Sequence, residues 1–148
     1  MPLVRSLIVS ALCLLTLQVP WAGDATALIA DGEARLKAGE VDAAIEVLRQ
    51  AVATDGASSL AHTRLGGALL LKQAYGPAID EFRTAIGLSG DNADAFIGMA
   101  VAYLHSGDYP LARASLEEAK RVDPAKQAKV DELITYIDQR ETAVGGAH

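Results

Sequence analysis

Sliding the sequence along itself by 34 residues superposes its small residues without a gap. Gly32 falls on Gly66 and Ala100, Ala44 on Ala78 and Ala112, and Ala51 on Ala85 and Ala119. Larger apolar side chains keep the same register: Leu48 with Phe82 and Leu116, and Val41 with Tyr75 and Tyr109. The units run 25–58, 59–92 and 93–126. A fixed period of this length specifies a stack of like units, each burying its apolar face on the next, which is a solenoid.

Each unit reads as two helices. In the third, Phe96, Met99, Ala100, Tyr103 and Leu104 recur at helical spacing over 95–105. Ser106-Gly107-Asp108 breaks that helix; Asp108 suits the N-cap of the next, and Pro110 falls in its first turn. The second helix carries Leu111, Ala112, Leu116 and Ala119 and stops at Asp123-Pro124. The second unit predicts a helix over 61–72, a break at Gly76-Pro77, a helix over 78–88 and Gly90 as a left-handed cap. In the first unit Gly39 divides the helices and Gly56 ends the second. Alanine and leucine carry most of the 51% apolar content and aromatics only 5%, a composition that favours helix. The recurring small residues, Gly32, Ala44, Ala51, Gly66, Ala78, Ala85, Ala100, Ala112 and Ala119, are expected at close helix contacts, with Gly66 meeting Ala78.

The third unit, with Phe96, Met99-Ala100, Tyr103, Gly107-Asp108-Tyr109, Ala112, Leu116, Ala119 and Pro124, resembles the tetratricopeptide repeat. The second resembles it through Leu65-Gly66, Tyr75, Ala78, Phe82 and Ala85, with Gly90 where the family's proline would fall. The first departs most: Asp31 and Arg35 stand at places normally apolar and aromatic, as suits a terminal unit with one solvated face. The resemblance covers about 100 of the 148 residues. It implies an all-α, right-handed helix-turn-helix solenoid. Val130, Leu133, Ile134 and Ile137 form one apolar stripe, so 127–140 reads as a helix capping the open end of a domain over 26–140. Residues 141–148 carry no stripe and are expected to be a flexible tail.

Residues 1–25 read as a secretory signal: Arg5 is followed by an apolar run from Leu7 to Leu17 before the first acid, Asp24. The alternative is an uncleaved membrane anchor, since the uncharged stretch 6–22 approaches a bilayer's span. Cys13 follows Leu12 where a lipid-attachment site wants a small residue, so lipidation is not expected. The expected location is the periplasm, free or anchored facing it. Cleavage removes Cys13, the sole cysteine, leaving no thiol or disulfide.

Signatures of chemistry are missing. His62, His105 and His148 share no i, i+4 spacing, so no metal site is expected. His62 reads as a packed, hydrogen-bonded residue, and His105 as a partner of its helix C-terminus. The carboxylates Glu46, Asp80, Glu81, Glu117, Glu118, Asp131 and Glu132 are scattered in the manner of solvated faces. Gly66-Gly67 lies inside a helix and is no phosphate loop; close packing and a partner pressing on the helix are its two readings. No cofactor is expected, the chain does not read as an enzyme, and a net charge of −6 speaks against nucleic acid.

What remains is binding. In the family resembled, first helices line a concave groove that receives a peptide or helix. Carried onto this chain, the groove residues are Ile29, Leu36, Leu60, Leu70, Leu71, Ile97, Val101, Leu104 and His105. The set with which some members clamp an acidic chain terminus, Lys, Asn and Arg, is missing. An exposed aliphatic trough marks a binding surface, so the expectation is an adaptor or assembly factor holding an apolar helix or peptide. The alternatives are a self-assembling scaffold tethered to the inner membrane, in which a second copy fills the groove, and a groove filled by the chain's own terminal helix. Membrane contact is expected only through an uncleaved N-terminal segment.

Overall fold

The computed structural model describes residues 24–145; residues 1–23, where most of the expected signal or anchor segment 1–25 falls, and residues 146–148 lie outside them. Its helices keep the 34-residue register. The first helices of the three units are α1 (Ala25–Lys37), α3 (Ser59–Leu71) and α5 (Ala93–His105). The second helices are α2 (Val41–Thr54), α4 (Tyr75–Leu88) and α6 (Tyr109–Val122). A 3-10 turn, Pro124–Lys126, leads into α7 (Gln127–Gly145). The result is an all-α solenoid of helical hairpins, in which each hairpin packs on the next and α7 packs on α6.

Local chemistry sets these boundaries. Asp24, Ser58 and Asn92, spaced on the register, each cap a first helix: their side-chain oxygens accept from the backbone N–H of Thr26, Ala61 and Ala95. The turn inside each hairpin needs one left-handed residue, and this is Gly39 (φ 80°), Gln73 (φ 63°) and Gly107 (φ 79°). Behind it the chain bonds back to the helix it leaves, as in Glu40 N–H to Arg35 C=O at 2.9 Å and Asp108 N–H to Tyr103 C=O at 2.9 Å. The second unit therefore turns earlier than expected. α4 begins at Tyr75, and Gly76 and Pro77 sit in its first turn, where the missing N–H of proline has no helical partner to lose. Gly90 is not left-handed; α4 ends on the extended residue Ser89.

The nine small residues of the register are all buried. Bulk meets them from the second helices. A Cβ placed on Gly32 would stand 2.6 Å from Leu48 Cγ, and one on Gly66 would stand 2.8 Å from Phe82 Cε1. Gly66 thus accommodates the ring of Phe82 rather than Ala78. The same ring is met by Gly98 of the next unit, whose added Cβ would stand 2.3 Å from Phe82 Cζ.

Polar contacts reinforce the junction of the second and third units. The Asn92 side-chain amide donates to Ser59 Oγ (2.8 Å) and Thr63 Oγ1 (2.9 Å), and Ser59 Oγ donates to the Ala85 carbonyl (2.8 Å). At the C-terminal end Val130 and Ile137 are buried with Leu116 and Ala119. Residues 141–145 continue α7 and are not a tail: Arg113 donates to Asp138 at 2.6 Å and to Glu141 at 3.0 Å, fastening the last turns to α6. Asp138, first, and Glu141 hold the Arg113 guanidinium above its ordinary pKa.

Candidate partner-binding groove

α5, the turn that follows it and α7 frame a hollow of about 510 Å³ at the C-terminal end of the stack. Val101 and Leu104 of α5 supply one apolar wall, and Leu133 and Tyr136 of α7 the other. These spacings follow from helix geometry: residues three or four apart share a face. Tyr109, at the start of α6, and Gly107 close the end beside the hairpin turn. His105 lines the rim and is stacked on Tyr75, ring centroids 5.3 Å apart and planes 1° from parallel. Glu132 and Arg140 of α7 line the hollow as well.

Of the nine residues expected to line one trough, Val101, Leu104 and His105 come together in this hollow. Leu60 and Leu71 are exposed on α3, at 47% and 62%, away from its lining. Leu36 and Leu70 lie half-buried against the core cluster of Ile45, Leu48, Leu65 and Phe82. Ile97 is half-buried against the C-terminal core. Ile29 is no groove residue: it is 6% exposed and packs with Ala51 and Ala61 in the seam between the first two units. Its counterpart Thr63 is buried too, with Oγ1 donating to the Ser59 carbonyl at 2.8 Å. That register position faces the neighbouring helix, which is why an aliphatic there is core.

The sequence allows the terminal helix to lie over Val101 and Leu104 but does not tell which residues of α7 face them; these are Leu133 and Tyr136. Leu133 was counted with Val130, Ile134 and Ile137, yet only Val130 and Ile137 are fully buried. Leu133, Tyr136 and Arg140 at i, i+3 and i+7 form a second face, and that spacing is the signal that could have found it.

The other polar residues have structural partners. His62 is buried, its Nδ1 2.7 Å from Glu81 Oε2 and its Nε2 3.1 Å from the Gly56 carbonyl, tying α3 to α4 and to the preceding loop. Lys126 donates to Asp94 at 2.8 Å, and this bond to the carboxylate holds the ammonium above its ordinary pKa. Of the adjacent glycines in α3, Gly66 serves packing, while an added Cβ on Gly67 would meet nothing within 4 Å.

Two family models described as tetratricopeptide repeat match the chain, one over residues 29–93 and the other over 69–135. No curated protein matches it. Among solved structures, the first TPR domain of human RPAP3 is similar with a TM-score of 0.79 at 16% identity, covering 86% of this chain and 99% of that one. The second TPR domain of human RPAP3, in complex with the HSP70 peptide SGPTIEEVD, is similar with a TM-score of 0.72 at 25% identity, covering 77% and 94%. The Yersinia enterocolitica type III secretion translocator chaperone SycD, in an alternative dimer, gives a TM-score of 0.73 at 16% identity, covering 79% and 93%.

Proposed function

Since the chain belongs to the tetratricopeptide-repeat family, we propose that it is a non-catalytic adaptor or assembly factor holding an apolar helix or peptide of another protein. The observation that carries this reading is the hollow framed by Val101, Leu104, Leu133 and Tyr136. Its apolar side chains face open space at the end of the stack, and burying each against a partner contributes about 1.5–3 kcal/mol before association costs. The RPAP3 domain solved with a peptide shows this architecture receiving one. The ligand class here differs from an acidic chain terminus, because the hollow presents Val101, Leu104, Leu133 and Tyr136 instead of a cluster of Lys, Asn and Arg.

The same reading places the protein outside the cytoplasm, on the strength of the apolar leader at 1–25. The intact mass of the chain recovered from the envelope tests this part, since processing removes Trp21 and its fluorescence.

Binding is tested by crosslinking and pull-down from the native envelope with the full chain and its Val101→Asp and Leu104→Asp variants. Both positions are half-exposed, so the variants should keep the helical circular-dichroism spectrum. Loss of the specifically recovered species is expected. Undiminished recovery with both folded variants overturns the groove reading.

A further inference from the structure

Among the described residues, Arg35, Arg49, Arg64, Arg83, Arg113 and Arg121 each sit against a carboxylate. Arg140 does not. Its Nε and Nη2 donate to the Tyr136 hydroxyl at 2.9 and 2.6 Å, and its guanidinium carbon lies 5.1 Å from that ring's centroid. The contact holds the side chain at the edge of the hollow without neutralising it. Glu132 is likewise without a cation among the described residues, although other acids of α7, Asp131, Asp138 and Glu141, all have one. The two unneutralised charges thus line the same hollow. They are eight residues apart on one helix face, about 12 Å at 1.5 Å per residue. Between them lie Leu133 and Tyr136, with Val101 and Leu104 opposite. The hollow therefore has an acidic end, an apolar middle and a basic end.

An occupant that buries the middle also takes water from both ends. A charge desolvated without a counter-charge is strongly unfavourable, whereas one met by an opposite charge fixes register and partner choice. We propose that the hollow selects its occupant by charge: an amphipathic helix of another polypeptide whose apolar anchor is bracketed by one basic and one acidic residue about two turns apart. The base meets Glu132 and the acid meets Arg140. This rests on the groove reading and adds to it a rule for which apolar helices are accepted and which are rejected.

The probes are three short synthetic amphipathic helices of equal leucine content, labelled for fluorescence anisotropy and measured at physiological salt against the full chain. Their bracketing residues are Lys and Glu in the first, Lys and Lys in the second, Glu and Glu in the third. A helix can enter in either direction, so the comparison of composition does not depend on orientation. The mixed peptide is expected to bind about fivefold tighter than either like-charged one, the scale of one or two exposed ion pairs. In Glu132→Lys the preference should pass to the Glu-Glu peptide, and in Arg140→Glu to the Lys-Lys peptide. Both side chains are exposed, and an unchanged circular-dichroism spectrum establishes that α7 remains helical in each variant. Equal binding of all three peptides, or preferences that do not move in either variant, overturns the charge rule and leaves the groove reading standing. Failure of every peptide to bind overturns both.

Discussion

Two glycines on different helices, Gly66 of α3 and Gly98 of α5, approach the ring of Phe82, and Gly98→Ala tests that arrangement most directly. In an unhindered helix interior the change from glycine to alanine stabilises by about 0.8–1.0 kcal/mol. At Gly98 the new Cβ would stand 2.3 Å from Phe82 Cζ, about 1 Å short of the 3.4 Å at which ordinary contact begins. The ring has little room to move, because Gly66 also approaches it closely and Phe82 is 2% exposed. Overpacking of this kind costs about 1–3 kcal/mol. The helix gain offsets part of that, leaving a net loss of up to about 2 kcal/mol. Gly67→Ala is the matched control, since nothing lies within 4 Å of its added Cβ and the intrinsic gain should appear nearly whole. Chemical denaturation followed by circular dichroism measures both. The expected result is opposite signs, with Phe82→Leu combined with Gly98→Ala less destabilised than the sum of its parts, because the smaller side chain gives the methyl room. Equal, same-signed changes at Gly67 and Gly98 would refute the close approach.

Three further outcomes are expected. Gln73 holds a left-handed backbone (φ 63°) where the other two turns have glycine, so Gln73→Gly should stabilise by about 0.5–1 kcal/mol after the added freedom of the unfolded chain is counted; a lower melting temperature contradicts this. Asn92→Ala removes the α5 cap and both donations to Ser59 and Thr63, and should cost about 2 kcal/mol by denaturant unfolding. Asn92→Asp, which keeps the cap oxygen, should lose about half as much, and equal losses would show that the cap is not what matters. The Ser89 hydroxyl, donating at 2.6 Å, is the main cause of a lowered pKa at Asp91. Because the shift is downward, the stability it contributes is present above the ordinary aspartate range and fades as pH falls through the folded value. Ser89→Ala should move the Asp91 titration, followed by NMR, upward toward that range, and an unmoved midpoint counts against the bond.

Period and packing were legible in the chain because both repeat: small residues recur every 34 positions, and only helices stacked in register bury them all. The boundary at 72–78 was misread because Gly76-Pro77 is a strong local breaker signal, yet a proline in the first turn breaks nothing. The left-handed role had passed to Gln73, which composition does not flag. Gly90 and Ile29 show the same limit. Residue type suggested a cap and a groove lining, while the conformations and contacts of neighbouring helices made one an ordinary loop residue and the other core. The hollow was half legible. Its α5 wall followed from the repeat, but its α7 wall lies outside the repeat and depended on how that helix rolls, which Val130 and Ile137 decide by filling the core first.

Gly98 occupies the register position held in the second unit by Arg64, and Phe82 the position held in the first by Leu48. By register the larger ring corresponds to an absent side chain and the smaller leucine to a full-length one, so the two junctions carry different pairs. Equal length therefore does not make the units exchangeable. Excising residues 59–92 would join the chain in register but set Leu48 against the bare backbone of Gly98, leaving a gap. Duplicating the same segment would drive a phenyl ring into the Cβ of an arginine. The order of units is written into their seams.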